Sequence, residues 1–165
     1  MKKAAVIMGS DSDLDLVRKT VEALKSFGIE TTVRVMSAHR SPAEVAAFST
    51  CAYENGYGVI VAAAGMAAHL AGAVAANTAL PVVALPLKSK SLEGIDALLA
   101  SVMMPPGVPV ATVGVDCAAN AGYLAAEILA ASDDELYKKL LTFKEEQRQK
   151  NINADRKVSA EFGGN

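Results

Sequence analysis

Short, wholly apolar runs alternate along this chain with longer stretches whose apolar residues recur every three or four positions. Residues 4–8 form the first run and stop at Gly9, which predicts a strand. Leu14, Val17, Val21, Leu24 and Phe27 follow at helical spacing, and Gly28 is placed to end that helix. Residues 31–36 are rich in β-branched side chains and predict a second strand. Ser41-Pro42-Ala43-Glu44 reads as a capping box with proline at the first helical position, opening a helix that runs to about Asn55 and stops at Gly56. Residues 59–64 are apolar throughout, as a strand covered on both faces should be. A small-residue helix over 67–77, a strand over 81–85 and a helix over 92–102 come next, the last with Leu92, Ile95, Leu98 and Leu99 on one face. Pro105, Pro106 and Pro109 break the chain before a fifth strand at 110–115 and a helix at 118–130. Ser132-Asp133-Asp134-Glu135 reads as a second capping box, opening a charged helix to roughly Arg156.

Five strands alternating with helices predict an α/β fold: a three-layer αβα sandwich on a flavodoxin-like or Rossmann-like parallel sheet, with a C-terminal helix. The expected organisation is a single domain over 1–157 and a flexible tail over 158–165. The last helix is more polar than the others, which suits a position on the outside or one reaching over a neighbouring subunit.

Composition narrows the function. Of 165 residues, 52% are hydrophobic and 21% charged, with a formal net charge of −2, so the electrostatic footprint of a nucleic-acid binder is missing. Cys51 and Cys117 form no CxxC or zinc pattern, and two small core residues in a reducing cytoplasm are the plain expectation. Only His39 and His69 add imidazole, so no metal site is expected. The run at 4–8 is too short for the apolar core of a signal peptide. The uncharged stretch 59–87 contains His69, Asn77, Pro81 and glycines, which fits a buried strand–helix–strand unit and not a membrane span.

The polar residues gather where chemistry is expected. Open parallel sheets bind ligands beyond the carboxyl ends of their strands. There stand Gly9-Ser10-Asp11-Ser12-Asp13, Ser37-Ala38-His39-Arg40-Ser41-Pro42, Gly65-Met66-Ala67-Ala68-His69-Leu70-Ala71-Gly72 and Lys88-Ser89-Lys90-Ser91. In the first loop Gly9 permits a tight turn, and Ser10 and Ser12 offer hydroxyls before a helix N-terminus, which together make a phosphate seat. Helix capping by Asp11 or Ser12 is the plainer alternative. No Walker loop and no GxGxxG occurs, so a mononucleotide suits the site better than ATP or NAD. Arg40 can fork onto a phosphate or else form a surface ion pair. His39 can carry protons for a bound heterocycle or only hydrogen-bond its loop. His69 either joins the site or orders the glycine loop.

These loops carry a resemblance. Met8-Gly9-Ser10-Asp11-Ser12-Asp13, Ser37-Ala38-His39-Arg40-Ser41-Pro42, Ala64-Gly65-Met66-Ala67-Ala68-His69-Leu70 and Met104-Pro105-Pro106-Gly107-Val108-Pro109-Val110-Ala111-Thr112 occur in order. Each resembles a motif of the class I N5-carboxyaminoimidazole ribonucleotide mutases, the PurE family, and the similarity covers about 4–129. Departures are Met103, where many relatives have Gln, and Ala71, where many have Pro. The resemblance implies His39 as the acid/base residue. It implies Ser10, Asp13 and Arg40 as nucleotide-binding residues, Asp13 on the ribose and the other two on the phosphate. Gly9, Ser12, Ser37, Gly65, Ala67, His69 and Leu70 would line the rest of the site. It further implies no metal and no organic cofactor, a cytoplasmic homo-octamer with sites shared between chains, and a small-molecule nucleotide as the only partner besides, without nucleic acid or membrane. The expected reaction interconverts N5-carboxyaminoimidazole ribonucleotide and 4-carboxy-5-aminoimidazole ribonucleotide. The alternatives are an aminoimidazole ribonucleotide carboxylase taking up free carbon dioxide, a relative acting on another heterocycle, and a non-catalytic mononucleotide or flavin binder. Against the flavin binder stand the scarcity of aromatic residues and the absence of Trp.

Overall fold

The computed structural model describes residues 2–163. Strands β1 (Lys3–Met8), β2 (Thr31–Val35), β3 (Tyr57–Gly65), β4 (Val82–Leu87) and β5 (Ala111–Thr112) lie side by side in the order β2-β1-β3-β4-β5. All neighbours are parallel. This is the flavodoxin-like order, in which the chain reverses its direction of progress between β1 and β3 and leaves a crevice above that pair. The fifth strand is shorter than 110–115, because only Ala111 and Thr112 find partners on β4.

Alternation along the strands divides the core. Ala4, Val6 and Met8 of β1 and Val59, Val61 and Ala63 of β3 point to one face, where they meet α1 (Leu14–Ser26), α5 (Ala118–Ala130) and the first turns of α6 (Asp134–Phe162). Ala5, Ile7, Ile60 and Ala62 point to the other, under α2 (Pro42–Cys51) and α3 (Leu70–Ala75). The helices α1 and α5 approach closely because Gly122 has no side chain. A Cβ there would lie 2.7 Å from both the Thr20 carbonyl oxygen and the Ala23 Cβ. Across the same contact the buried Thr20 hydroxyl donates to the Ala118 carbonyl at 2.7 Å.

Several local expectations are corrected. Ser41 does not cap α2; its hydroxyl turns back to Ser37. At α6 the cap is Asp133, one residue later than the box predicts, and its carboxylate accepts from the Leu136 amide. Ser132 instead bonds the Leu129 carbonyl. α3 and α4 (Ile95–Val102) begin three residues later than their periodicity suggests. Residues 158–162, expected in the tail, continue α6, since no Gly or Pro interrupts until Gly163 takes up φ +70° at the C-cap. Gly164 and Asn165 lie outside the described residues. Both cysteines are exposed rather than buried. Cys51 is out of phase with the buried positions Val45, Ser49 and Ala52, and Cys117 sits at the N-cap of α5.

Two surfaces lie open among the described residues. Leu92, Ile95, Leu99 and Met103, at helical spacing along and beside α4, are all exposed. Beyond Phe143, only Ile152 and Ser159 of α6 are even partly buried. No helix among the described residues is long and apolar enough to cross a membrane.

Candidate functional site

Above the carboxyl ends of β1 to β4 lies a cavity of about 800 Å³. Register places its walls. Met8 is level with Val35 of β2 and Ala63 of β3, and Gly65 is level with Leu87 of β4, so all four loops leave the sheet at one edge.

From β1 come Gly9, Ser10, Ser12 and Asp13. Gly9 adopts no left-handed conformation, so the turn does not require glycine; a Cβ there would meet nothing within 4 Å. Ser10, not Asp11 or Ser12, caps the single 3-10 turn Asp11–Asp13 that leads into α1, accepting from the Ser12 amide at 3.4 Å and the Ser12 hydroxyl at 2.9 Å. Burial at the cavity edge lifts the Asp13 carboxyl above its ordinary pKa. The Ser12 hydroxyl and the Ser10 backbone oppose this, Asp11 adds to it, and Arg40 opposes it.

From β2 comes a loop bonded to itself. Ser37 Oγ accepts from the amides of His39 (3.3 Å) and Arg40 (3.2 Å), while Ser41 Oγ accepts from the Ser37 amide at 2.9 Å. The Met36 amide ties the loop to the Met8 carbonyl at 2.9 Å. Arg40 Nη2 donates to the Gly9 carbonyl at 2.6 Å, so the guanidinium is fixed against the serine turn. A smaller recess of about 270 Å³ opens there between Ser10, Asp11, Ser37 and Arg40.

From β3 come Gly65, Met66 and Ala67. A side chain at Gly65 would press on the Leu87 carbonyl oxygen at 3.3 Å, and Met66 turns the chain with φ +54°. His69 occupies the N-cap of α3 but makes no capping bond with its side chain. Its Nδ1 meets His39 Nε2 at 2.9 Å, with the rings nearly perpendicular at 78°. One of these nitrogens must carry hydrogen for that bond to form, so each ring sets the tautomer of the other.

The sequence-predicted residues therefore divide. His39, Ser10, Asp13, Arg40, Gly9, Ser12, Ser37, Gly65, Ala67 and Leu70 all line one cavity. His69 is not among the lining residues; it is exposed at the same edge, with Nδ1 2.9 Å from His39 Nε2. Among the described residues no three His, Cys, Asp or Glu side chains are grouped to hold a metal. Met66 and, after β4, Lys88, Ser89, Lys90 and Ser91, which lie in loops that the sequence places at this edge without a role of their own, also line the cavity, as do Ala38, Ala64 and Leu87. The signal for the Lys88–Ser91 loop is two lysines and two serines directly after strand four, at the same edge as the other loops.

Comparison with known proteins follows the same lines. A family model described as AIR carboxylase matches residues 3–150. The N5-carboxyaminoimidazole ribonucleotide mutase of Methanocaldococcus jannaschii is 49% identical over 157 residues, which is 95% of this chain and 98% of that protein. Its counterpart from Pyrococcus abyssi is 46% identical over 149 residues, 90% of this chain and 86% of the other. The crystal structure of Treponema denticola PurE is similar with a TM-score of 0.85 at 32% identity, covering 94% of this chain and 97% of that one.

Proposed function

The chain belongs to the AIR carboxylase family, and from that membership we propose that it is an N5-carboxyaminoimidazole ribonucleotide mutase of purine biosynthesis. The observation that carries this is 49% identity along 95% of the chain to a protein named for that reaction. The cavity adds the parts the reaction needs: a phosphate seat, a carboxylate for hydroxyls and an imidazole, all on one wall.

The mutase isomerises its substrate without net addition or loss of atoms. The bond between N5 and the carboxyl carbon breaks, releasing carbon dioxide within the cavity and leaving the aminoimidazole ribonucleotide. The ring carbon C4 then forms a new bond to that carbon dioxide. N5 gains one proton and C4 loses one, so a single acid/base group can supply the first and recover the second. His39 is that group in our reading, with the His69 nitrogen at 2.9 Å fixing its ring. Ser10 and Arg40 hold the phosphate beside the helix entrance, and Asp13 takes ribose hydroxyls. These contacts fix the azole under His39, and they explain why a nucleoside without phosphate should react poorly. Gly9, Ser12, Ser37, Gly65, Ala67 and Leu70 complete the wall.

We also propose that the chain forms one domain, acts in the cytoplasm and assembles as a homo-octamer with sites completed by neighbours. The exposed apolar stripe Leu92–Ile95–Leu99–Met103 supports burial against another copy, since contiguous exposed apolar surface marks an interface. Light scattering on the purified protein checks the assembly.

The deciding experiment offers purified protein either the N5-carboxylated nucleotide alone or aminoimidazole ribonucleotide with bicarbonate. Turnover of the first to the C4-carboxylated isomer is expected. Efficient turnover of the second with neglect of the first would make the protein a carboxylase.

A further inference from the structure

A carboxylated mononucleotide carries about −1.5 to −2 charges on its phosphate near pH 7, and one more on its carboxylate. On the β1–β2 wall Arg40 is the only cation lining the cavity, already hydrogen-bonded to Gly9 beside the serine turn that suits the phosphate. Asp13 on that wall is itself an acid and repels a second carboxylate. The far wall supplies two ammonium groups, Lys88 and Lys90. Lys88 is committed: its Nζ pairs with Glu93, and its backbone amide donates to Asp116 Oδ1 at 2.8 Å. Lys90 enters no ion pair among the described residues. In the sheet β4 stands two steps from β1, about 10 Å at ~4.8 Å per step. With the phosphate at the serine turn, the Lys90 loop would face the end of the nucleotide remote from it.

We infer that Lys90 is a substrate-binding residue specific for the carboxylate that migrates, pairing its ammonium with that group before and after transfer. The inference rests on the mutase reading above. Lys90 then makes the site prefer carboxylated nucleotides over their decarboxylated parent, which keeps the intermediate a minor, short-lived occupant. It also gives the two isomers a common anchor at the point where only the carboxyl position differs.

The test measures, by calorimetry, binding of the C4-carboxylated nucleotide and of aminoimidazole ribonucleotide to wild type, Lys90→Gln and Lys90→Arg. The Gln variant should bind the carboxylated nucleotide about tenfold more weakly, the low end for a charge-assisted hydrogen bond, with the parent nucleotide within about twofold. The Arg variant should recover most of the loss. Equal weakening of both ligands, or of neither, would overturn the inference by assigning Lys90 to the phosphate or to solvent. Failure of wild type to bind either nucleotide would instead bring down the mutase reading, and this inference with it.

Discussion

On the β1–β2 side of the cavity, the polar groups are tied to one another: Ser37 to two amides, Ser41 to Ser37, Ser12 to Ser10, and Arg40 to Gly9. On the β4 side, the loop is tied outward to other elements, the Lys88 amide to Asp116 Oδ1 and the Ser89 hydroxyl to Asp96, with an exposed Lys88–Glu93 ion pair, and it turns through two left-handed residues, Glu93 at φ +55° and Gly94 at +89°. The first side is preorganised before any ligand arrives, and ordering it costs nothing further on binding. The second holds one charge, Lys90, that enters no ion pair among the described residues. Under the proposed reaction the site would use both: the phosphate would be gripped the same way throughout, while the carboxyl changes its attachment.

Substitutions can break this contrast at different depths. The deepest cut is His39→Asn, expected to lower turnover by about 10²–10⁴-fold while leaving nucleotide binding nearly intact, as read by parallel kinetics and calorimetry. Arg40→Ala should raise KM for the nucleotide roughly 10- to 100-fold, and wild type and variant should converge when the phosphate is removed from the substrate. Ser37→Ala removes the acceptor shared by two amides and should lower kcat/KM about two- to tenfold, through a loosened His39–Arg40 segment visible as faster amide exchange. Glu93→Gln strikes the other side and should change kcat/KM by less than about twofold, because an exposed ion pair contributes little.

The smallest effect is on stability and depends on pH. The folded state raises the Asp13 pKa, chiefly by burial, so the native protein binds more protons than the unfolded chain between the ordinary carboxylate value and the raised one. Stability therefore falls as pH rises through that window. Asp13→Asn should be slightly more stable than wild type at neutral pH, by within about 0.5 kcal/mol, and the gain should vanish below pH ~3.9. Denaturant titrations at the two pH values check it.

How much of this was legible follows the same division. The five strands and their alternation with helices could be read because strands covered on both faces are apolar throughout and helices repeat every three or four residues. The β1–β2 wall was legible because its bonds are local: Ser10 with Ser12, Ser37 with His39 and Arg40 are two or three residues apart, so the sequence shows donors beside acceptors. The contact between His39 and His69 spans thirty residues, and only the fold reveals that the two rings meet. Ser41-Pro42-Ala43-Glu44 misled because the Ser41 hydroxyl had a closer partner in Ser37 than the helix amides it was expected to cap. The Lys88–Ser91 loop could be placed at the ligand edge but given no role, since lysine and serine in a loop usually mean no more than solvation. Gly9 is expected to permit a tight turn, yet its backbone is not left-handed and a Cβ there would meet nothing within 4 Å.

All of this turns on His39 standing over the azole of a nucleotide whose phosphate is held by Ser10 and Arg40. A crystal structure with the C4-carboxylated product bound tests that placement most directly. The account predicts the His39 ring within hydrogen-bond reach of the azole, or one water away. A product bound with that ring farther off, or with its phosphate seated away from Ser10 and Arg40, would contradict it.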